Sequence, residues 1–231
     1  MKRVYKKVAV RAAEGGFAVM LDGRPVRTPG RKMLVVPSRA LAEAIAGEWR
    51  AQGDKVEPRS MPLTRLASTA LDLVGQRRPA IVDEIAAYAM TDLVCYRADA
   101  PAELKARQHE VWQPLLDWAA ARYGAALVVT AGVVPRPQPP EALAALRRAV
   151  EAYDDMALVA LHAATAAAGS LIVALALLDG HIDAAEAFAI SQLDETFQIE
   201  RWGEDAEAAR RRAALRDDLA QTAEFHRLHR R

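Results

Sequence analysis

FAVMLDGRPVRTPGRKMLVVPS, residues Phe17 to Ser38, decides the fold class. Phe17, Val19 and Leu21 fall on every second position, the period of a strand. Asp22-Gly23 then supplies a tight turn of the kind that joins two antiparallel strands. Arg24 to Thr28 returns, Pro29-Gly30 turns once more, and Lys32 to Val36 makes a further strand that stops at Pro37. Upstream, Val4 to Val10 alternates apolar with basic residues and predicts another half-buried strand, with Gly15-Gly16 as a turn. Ser38 is placed as an N-cap, with Leu41, Ile45 and Trp49 following at helical spacing. The N-terminal part is therefore a small antiparallel meander that runs into a helix.

The rest of the chain reads as helical. Leu63, Leu66, Ala67, Ala70, Leu71 and Val74 form an amphipathic stripe. Pro79 is expected to open another helix, with Ile81, Ile85 and Tyr88 on one face. Thr91 to Tyr96 is short and reads as a loop or brief strand. Ala102 to Tyr123 predicts a helix that Pro114 should kink or split. Arg136 to Pro140 is dense in proline and must be a connection. Glu141 to Ala152, Met156 to Leu178, Ala184 to Arg201 and Glu204 to Leu228 predict four further helices, with a corner at Gly203. The fold class is α+β, with a β-rich N-terminal domain over 1–62 and a helical domain over 63–231.

Composition narrows the function classes. Hydrophobic residues make up 52%, enough for a substantial core, and the net charge of +1 gives no global bias toward nucleic acid. The charge is uneven, because the first 36 residues hold nine Lys and Arg against Glu14 and Asp22. A basic edge that keeps exposed strands from pairing is the simplest reading. Cys95 is the only cysteine, which fits a reducing compartment. Met156 to Leu178 has the length of a bilayer span, about 20 residues. It is rich in Ala, carries His162 and Thr165, and lacks an aromatic belt or basic flank, so a buried helix is expected.

No constellation for chemistry stands out. Cys95 has no spacing that pairs it with His109, and a lone Cys among Leu93, Val94 and Tyr96 reads as packing. His226 and His229 lack the third ligand that zinc requires and lie in a cationic tail, expected to be solvated. Asp194 and Glu195 are adjacent and point apart on a helix. Gly15-Gly16 precedes a strand, so it offers no helix N-terminus to a phosphate. No catalytic residue, metal site or cofactor is expected. The segment LDETFQIERWGEDAE, Leu193 to Glu207, instead gathers carboxylates and an amide around Phe197 and Trp202. That composition suits a surface that holds another protein, since Trp and Arg are enriched among interface hot spots.

Four strings occur in order: GGFAVMLDGRPVRTPGRKMLVVPSRALAEAIAGEW (15–49), MPLTRLASTALD (61–72), TDLVCYRA (91–98) and LDETFQIERWG (193–203). Together they resemble the assembly chaperones of the F-type ATP synthase head that protect its α subunit, a family of mitochondria and α-proteobacteria. The resemblance spans nearly the whole chain. It implies a β-rich domain joined to a helical one, and a protein that binds the newly made α subunit before the β subunit does. It implies neither enzyme activity nor a cofactor, a nucleic-acid partner, membrane insertion or a small-molecule substrate. Mitochondrial members carry a presequence, and none is read here, so a cytoplasmic bacterial member is expected. The partner-binding residues implied are Glu195, Gln198, Glu200, Trp202, Glu204 and Trp49. The segment after Trp202 is shorter than its mitochondrial counterparts, which leaves open whether Glu204, Asp205 or Glu207 makes the acidic contact. Two other classes carry their own signatures: a small-molecule enzyme using Glu195 or Cys95 needs a pocket of titratable groups, and a nucleic-acid binder using the basic strands needs steeply salt-dependent binding.

Overall fold

A computed structural model describes every residue except Met1, Val133 and Pro135. Its contacts divide the chain into two compact units. The first holds residues up to Arg78 together with Asp154–Ala160 and Glu224–Arg231. The second holds Pro79–Tyr153 and Leu161–Ala223.

In the first unit, β1 (Val8–Ala13) pairs antiparallel with β2 (Gly16–Leu21). The other edge of β2 is shared by β3 (Arg24–Pro25) and β4 (Val35–Val36). Asp22 and Gly23 both have positive φ, 47° and 82°, as the two-residue turn after Leu21 requires. The first strand begins at Val8 rather than Val4. The Asp22 carboxylate accepts the N–H groups of Lys6 and Lys7, so those residues are tied to the turn before the ladder starts. The same bonds hold the Asp22 carboxyl below its usual range.

Helix α1 (Arg39–Arg50) packs on β1 and β2. The Ser38 hydroxyl accepts the Leu41 N–H at 3.0 Å, the cap expected from the sequence. Leu41 and Ile45 of this helix are buried, as are Val19, Val26, Leu34 and Val36. Tyr5, Val56 and Met61 form a second cluster, on which Val8, Leu21 and Trp49 pack. The stripe from Leu63 begins as α2 (Pro62–Thr69) and then widens into a π turn, Ala70–Val74. Asp72 of that turn accepts the Thr28 hydroxyl at 2.7 Å and the Gly30 N–H at 2.8 Å. A Cβ on Gly30 would lie 2.6 Å from the Asp72 carboxylate, so this approach needs glycine. The chain's end is seated rather than solvated: Ser38 donates to the Leu228 carbonyl at 2.5 Å, and His229 meets Asp154 at 2.7 Å.

The chain passes from one unit to the other within α3 (Gly75–Ala87), between Tyr153 and Asp154, within α6 (Asp155–Ala168) and within α10 (Ala206–His229). Pro79 does not open a helix, because α3 runs through it and buries Val82 and Ile85 just beyond.

In the second unit, α4 (Ala102–Tyr123) packs with α7 (Leu171–Leu178), α5 (Pro140–Glu151) and α9 (Leu193–Trp202). Pro114 does not split α4: buried Trp112, Leu115, Leu116 and Ala119 hold the helix on both sides of the missing bond. Within Thr91 to Tyr96, Leu93–Cys95 is a 3-10 turn capped by Asp92, and a strand starts only at Tyr96. As β5 (Tyr96–Arg97) it pairs in parallel with β6 (Thr130–Ala131).

Two expected helices are each broken. The long apolar one becomes α6 and α7, separated where Gly169 takes a φ of 65°. Ser170 caps α7, accepting the Val173 N–H at 3.0 Å. Its own hydroxyl donates to fully buried Asp92 at 2.5 Å. Asp92 also accepts the N–H groups of Val94 and Ile172 at 3.2 and 3.1 Å. This carboxylate at a helix N-terminus is why the helix restarts there. Similarly, α8 (Ala184–Ser191) and α9 are separated at Gln192, which leaves helical geometry with a φ of −109°. Among the described residues no helix is long and apolar enough to cross a membrane.

Candidate partner-binding surface

Helix α9 shows two faces. Leu193 and Phe197, four residues apart, are buried. Glu195, Gln198 and Trp202, at i, i+3 and i+7, lie on the exposed side. Gly203, with a φ of 83°, turns the chain, and Asp205 starts α10 by accepting the Glu207 and Ala208 N–H groups at 2.8 and 2.9 Å. The bonds from Ala208 and Glu207 hold the Asp205 carboxyl below its usual range.

The corner encloses an open groove of about 620 Å³. Glu195, Gln198, Ile199 and Trp202 line it from α9, Glu204 and Asp205 from the corner, and Arg211, Arg212 and Leu215 from α10. Trp202 is 77% exposed, a large apolar surface held open to solvent. Arg212 ties the walls together. Its guanidinium meets Glu204 at 3.2 Å, donates to the Thr196 hydroxyl at 3.1 Å and lies over the Phe188 ring at 5.3 Å. The groove thus combines an indole, apolar patches and charges of both signs on two helices.

Four of the six residues singled out in the sequence, Glu195, Gln198, Trp202 and Glu204, line this groove together. Glu200 points elsewhere. Arg107 of α4 grips both of its carboxylate oxygens at 3.0 Å. Arg107 and Arg201 flank the Phe197 ring at 5.6 and 4.0 Å, and Arg201 is also bonded to Glu103. Trp49 belongs to the other unit and is half-buried. Its ring meets Tyr5 edge-on at 5.7 Å, and its carbonyl accepts the Tyr5 hydroxyl at 2.7 Å. The sequence reading missed Arg211, Arg212 and Leu215. They sat in a stretch read as a helix without regard to its faces, although Ala208, Arg211, Arg212 and Leu215 share one helical face.

The groups weighed for chemistry are placed otherwise. Cys95 is buried, and burial together with the Asp92 charge pushes its thiol up to about 12, so it is no nucleophile at neutral pH. Asp194 accepts the Gln108 amide at 2.8 Å. Among the described residues no three His, Cys, Asp or Glu side chains gather as a metal would need.

The model of the ATP12 chaperone protein family matches residues 2–120, just over half of the chain. The chain belongs to the ATP12 chaperone family. This is a family of ATP synthase assembly chaperones and not of enzymes. The crystal structure of Atp12 from Paracoccus denitrificans is 44% identical, with a TM-score of 0.95, and the match covers 99% of this chain and 98% of that one. A point mutant of the same Atp12p matches with the same identity and TM-score over 99% and 97%. The mitochondrial atp12 protein of Schizosaccharomyces pombe is 27% identical over 219 residues, 89% of this chain and 75% of that protein. The α+β fold expected from the meander and the helical run is thus the ATP12 fold. The groove at the α9–α10 corner lies beyond the part that the family model matches, but within the span shared with the Paracoccus structures.

Proposed function

We propose that this ATP12-family chaperone holds the newly made α subunit of the ATP synthase head in the bacterial cytoplasm, and that the α9–α10 groove is the contact. The observation that carries the reading is Trp202, 77% exposed at the end of α9 and set between Glu195, Glu204 and Arg211. An exposed indole ringed by charge has the composition of an interface anchor. Charged walls add selectivity and keep affinity moderate, which suits a client that must later be handed to its β-subunit partner. Glu195, Gln198, Trp202 and Glu204 are the contact residues. Glu200 and Trp49 are assigned to holding their own units.

The test is dilution of chemically unfolded α subunit from the same organism, followed by light scattering, with an unrelated aggregating protein as control. Suppression near equal stoichiometry for the α subunit alone supports the reading. Suppression of both proteins makes this a general holdase. A charge-reversing pair, Glu195→Lys with Glu204→Lys, should abolish co-purification with the α subunit. Retained co-purification moves the contact off the groove.

A further inference from the structure

The first strand offers an unused edge. The ladder's phase is fixed by two bonds: Asp22 N–H to the Lys7 carbonyl and Val26 N–H to the Val19 carbonyl, at 2.9 and 2.8 Å. With Val10 opposite Val19, the main chains of Lys7, Ala9 and Arg11 point toward β2. Those of Val8, Val10 and Ala12 point away from it. Among the described residues these outward groups have no hydrogen-bond partner, and β1 ends the strand order. Ala12 is exposed, and Val8 and Val10 are no more than half-buried.

Side chains alternate in the same register. Val8 and Val10 are half-buried, and Val8 packs on the cluster of Tyr5, Val56 and Met61. Ala9 and Arg11 are exposed on the opposite face, as is Lys7, which precedes them at the same spacing. An added strand would lie beside two valines on one face and two cations on the other. A second copy of β1 brings only more cations to the face of Lys7 and Arg11, so it matches this edge less well than an acidic strand does. Antiparallel pairing centred on Ala9 sets Lys7 against Arg11, and like charges directly opposite destabilise a sheet.

We propose that β1 is a docking edge for an extended acidic segment of a partner protein, one that alternates carboxylates with apolar residues. The segment adds a strand beyond β1, its main chain bonding to Val8, Val10 and Ala12, its carboxylates facing Lys7 and Arg11 and its apolar side chains extending the row of Val8 and Val10. The edge is separate from the α9–α10 groove and does not depend on which protein fills that groove. It gives the basic N-terminal charge a use that plain solvation does not.

The probe is a short blocked peptide of alternating Glu and Val, titrated into the intact protein while amide exchange is followed residue by residue. Exchange should slow at Val8, Val10 and Ala12 and stay unchanged at Ala9 and Arg11, whose N–H groups already serve β2. A matched peptide of Lys and Val should fail, as should the Glu peptide methylated on the amides that face β1. Replacing both Lys7 and Arg11 by Glu should weaken the Glu peptide about tenfold, as two opposed charge pairs allow, and reverse the preference. The methylated peptide leaves the protein untouched, so the test stands even if that variant folds poorly. Absent or uniform protection, or equal binding of both peptides, overturns the proposal.

Discussion

Asp92 and Glu195 belong to the same helical unit, yet they are built on opposite terms. Asp92 is fully buried, and its oxygens are taken up by the Ser170 hydroxyl and the N–H groups of Val94 and Ile172. Burial pushes it up to about 6 despite those bonds. Glu195 is exposed beside an indole that is 77% exposed. The first arrangement spends its hydrogen bonds inward, on the restart of a helix. The second leaves the Glu195 carboxylate and the Trp202 indole facing outward, while Glu204 and Asp205 beside them are taken up by Arg212 and by the first N–H groups of α10. Glu200 stands between the two: it sits on the same helix as Glu195 but is held by Arg107.

If the contrast holds, stability should respond most at Asp92. Asp92→Ala strands a hydroxyl and buried N–H groups, and should cost roughly 3 kcal/mol or more in urea unfolding. A loss below about 1 kcal/mol would show that the junction does not hold the unit together.

The pH response sharpens the same point. The folded-state value near 6 lies above the ordinary 3.8, so between them the folded chain keeps a proton that the unfolded chain has lost. Stability from this group therefore falls as pH rises from about 4 to about 6, by at most roughly 3 kcal/mol, and stays lost above that. Asp92→Asn removes the titration. The gap between parent and variant should change across that window and be constant above pH 7; parallel curves would place the charge in a more polar setting.

Glu200→Ala should cost about 0.5 kcal/mol, since Arg107 and Glu200 are 37% and 50% exposed and such pairs are screened by solvent. A loss of several kcal/mol in thermal unfolding would make the α4–α9 clasp a core element.

The smallest stability effect is expected where the largest binding effect lies. Trp202→Ala should change stability by less than about 0.5 kcal/mol yet weaken α-subunit binding about thirtyfold, the scale of an interface hot spot. Equal loss of both would make Trp202 a packing residue. Unchanged binding would remove the groove from the interface.

What the sequence determined by itself is local. Asp22-Gly23, Pro29-Gly30 and Ser38 set two turns and the first cap, because turn and cap preferences act within four residues; that β4 returns to β2 rather than continuing a meander was not legible. The bounds of α4, Ala102–Tyr123, follow from the same short-range signals. The gathering of Glu195, Gln198 and Trp202 on one face was implicit in their spacing. Tertiary structure alone decided the rest. Gly169-Ser170 ends one helix and starts another because Asp92, 78 residues earlier, waits beneath the new N-terminus. Glu224–Arg231 joins the first unit through contacts such as Ser38 with Leu228, and it meets Asp154–Ala160 where His229 reaches Asp154. Glu200 is withdrawn from the groove because Arg107, 93 residues away, is placed to grip it. Periodicity carries no information about such partners, since the hydrogen bonds and charges that choose between alternative helix breaks and faces come from elements far apart in the chain.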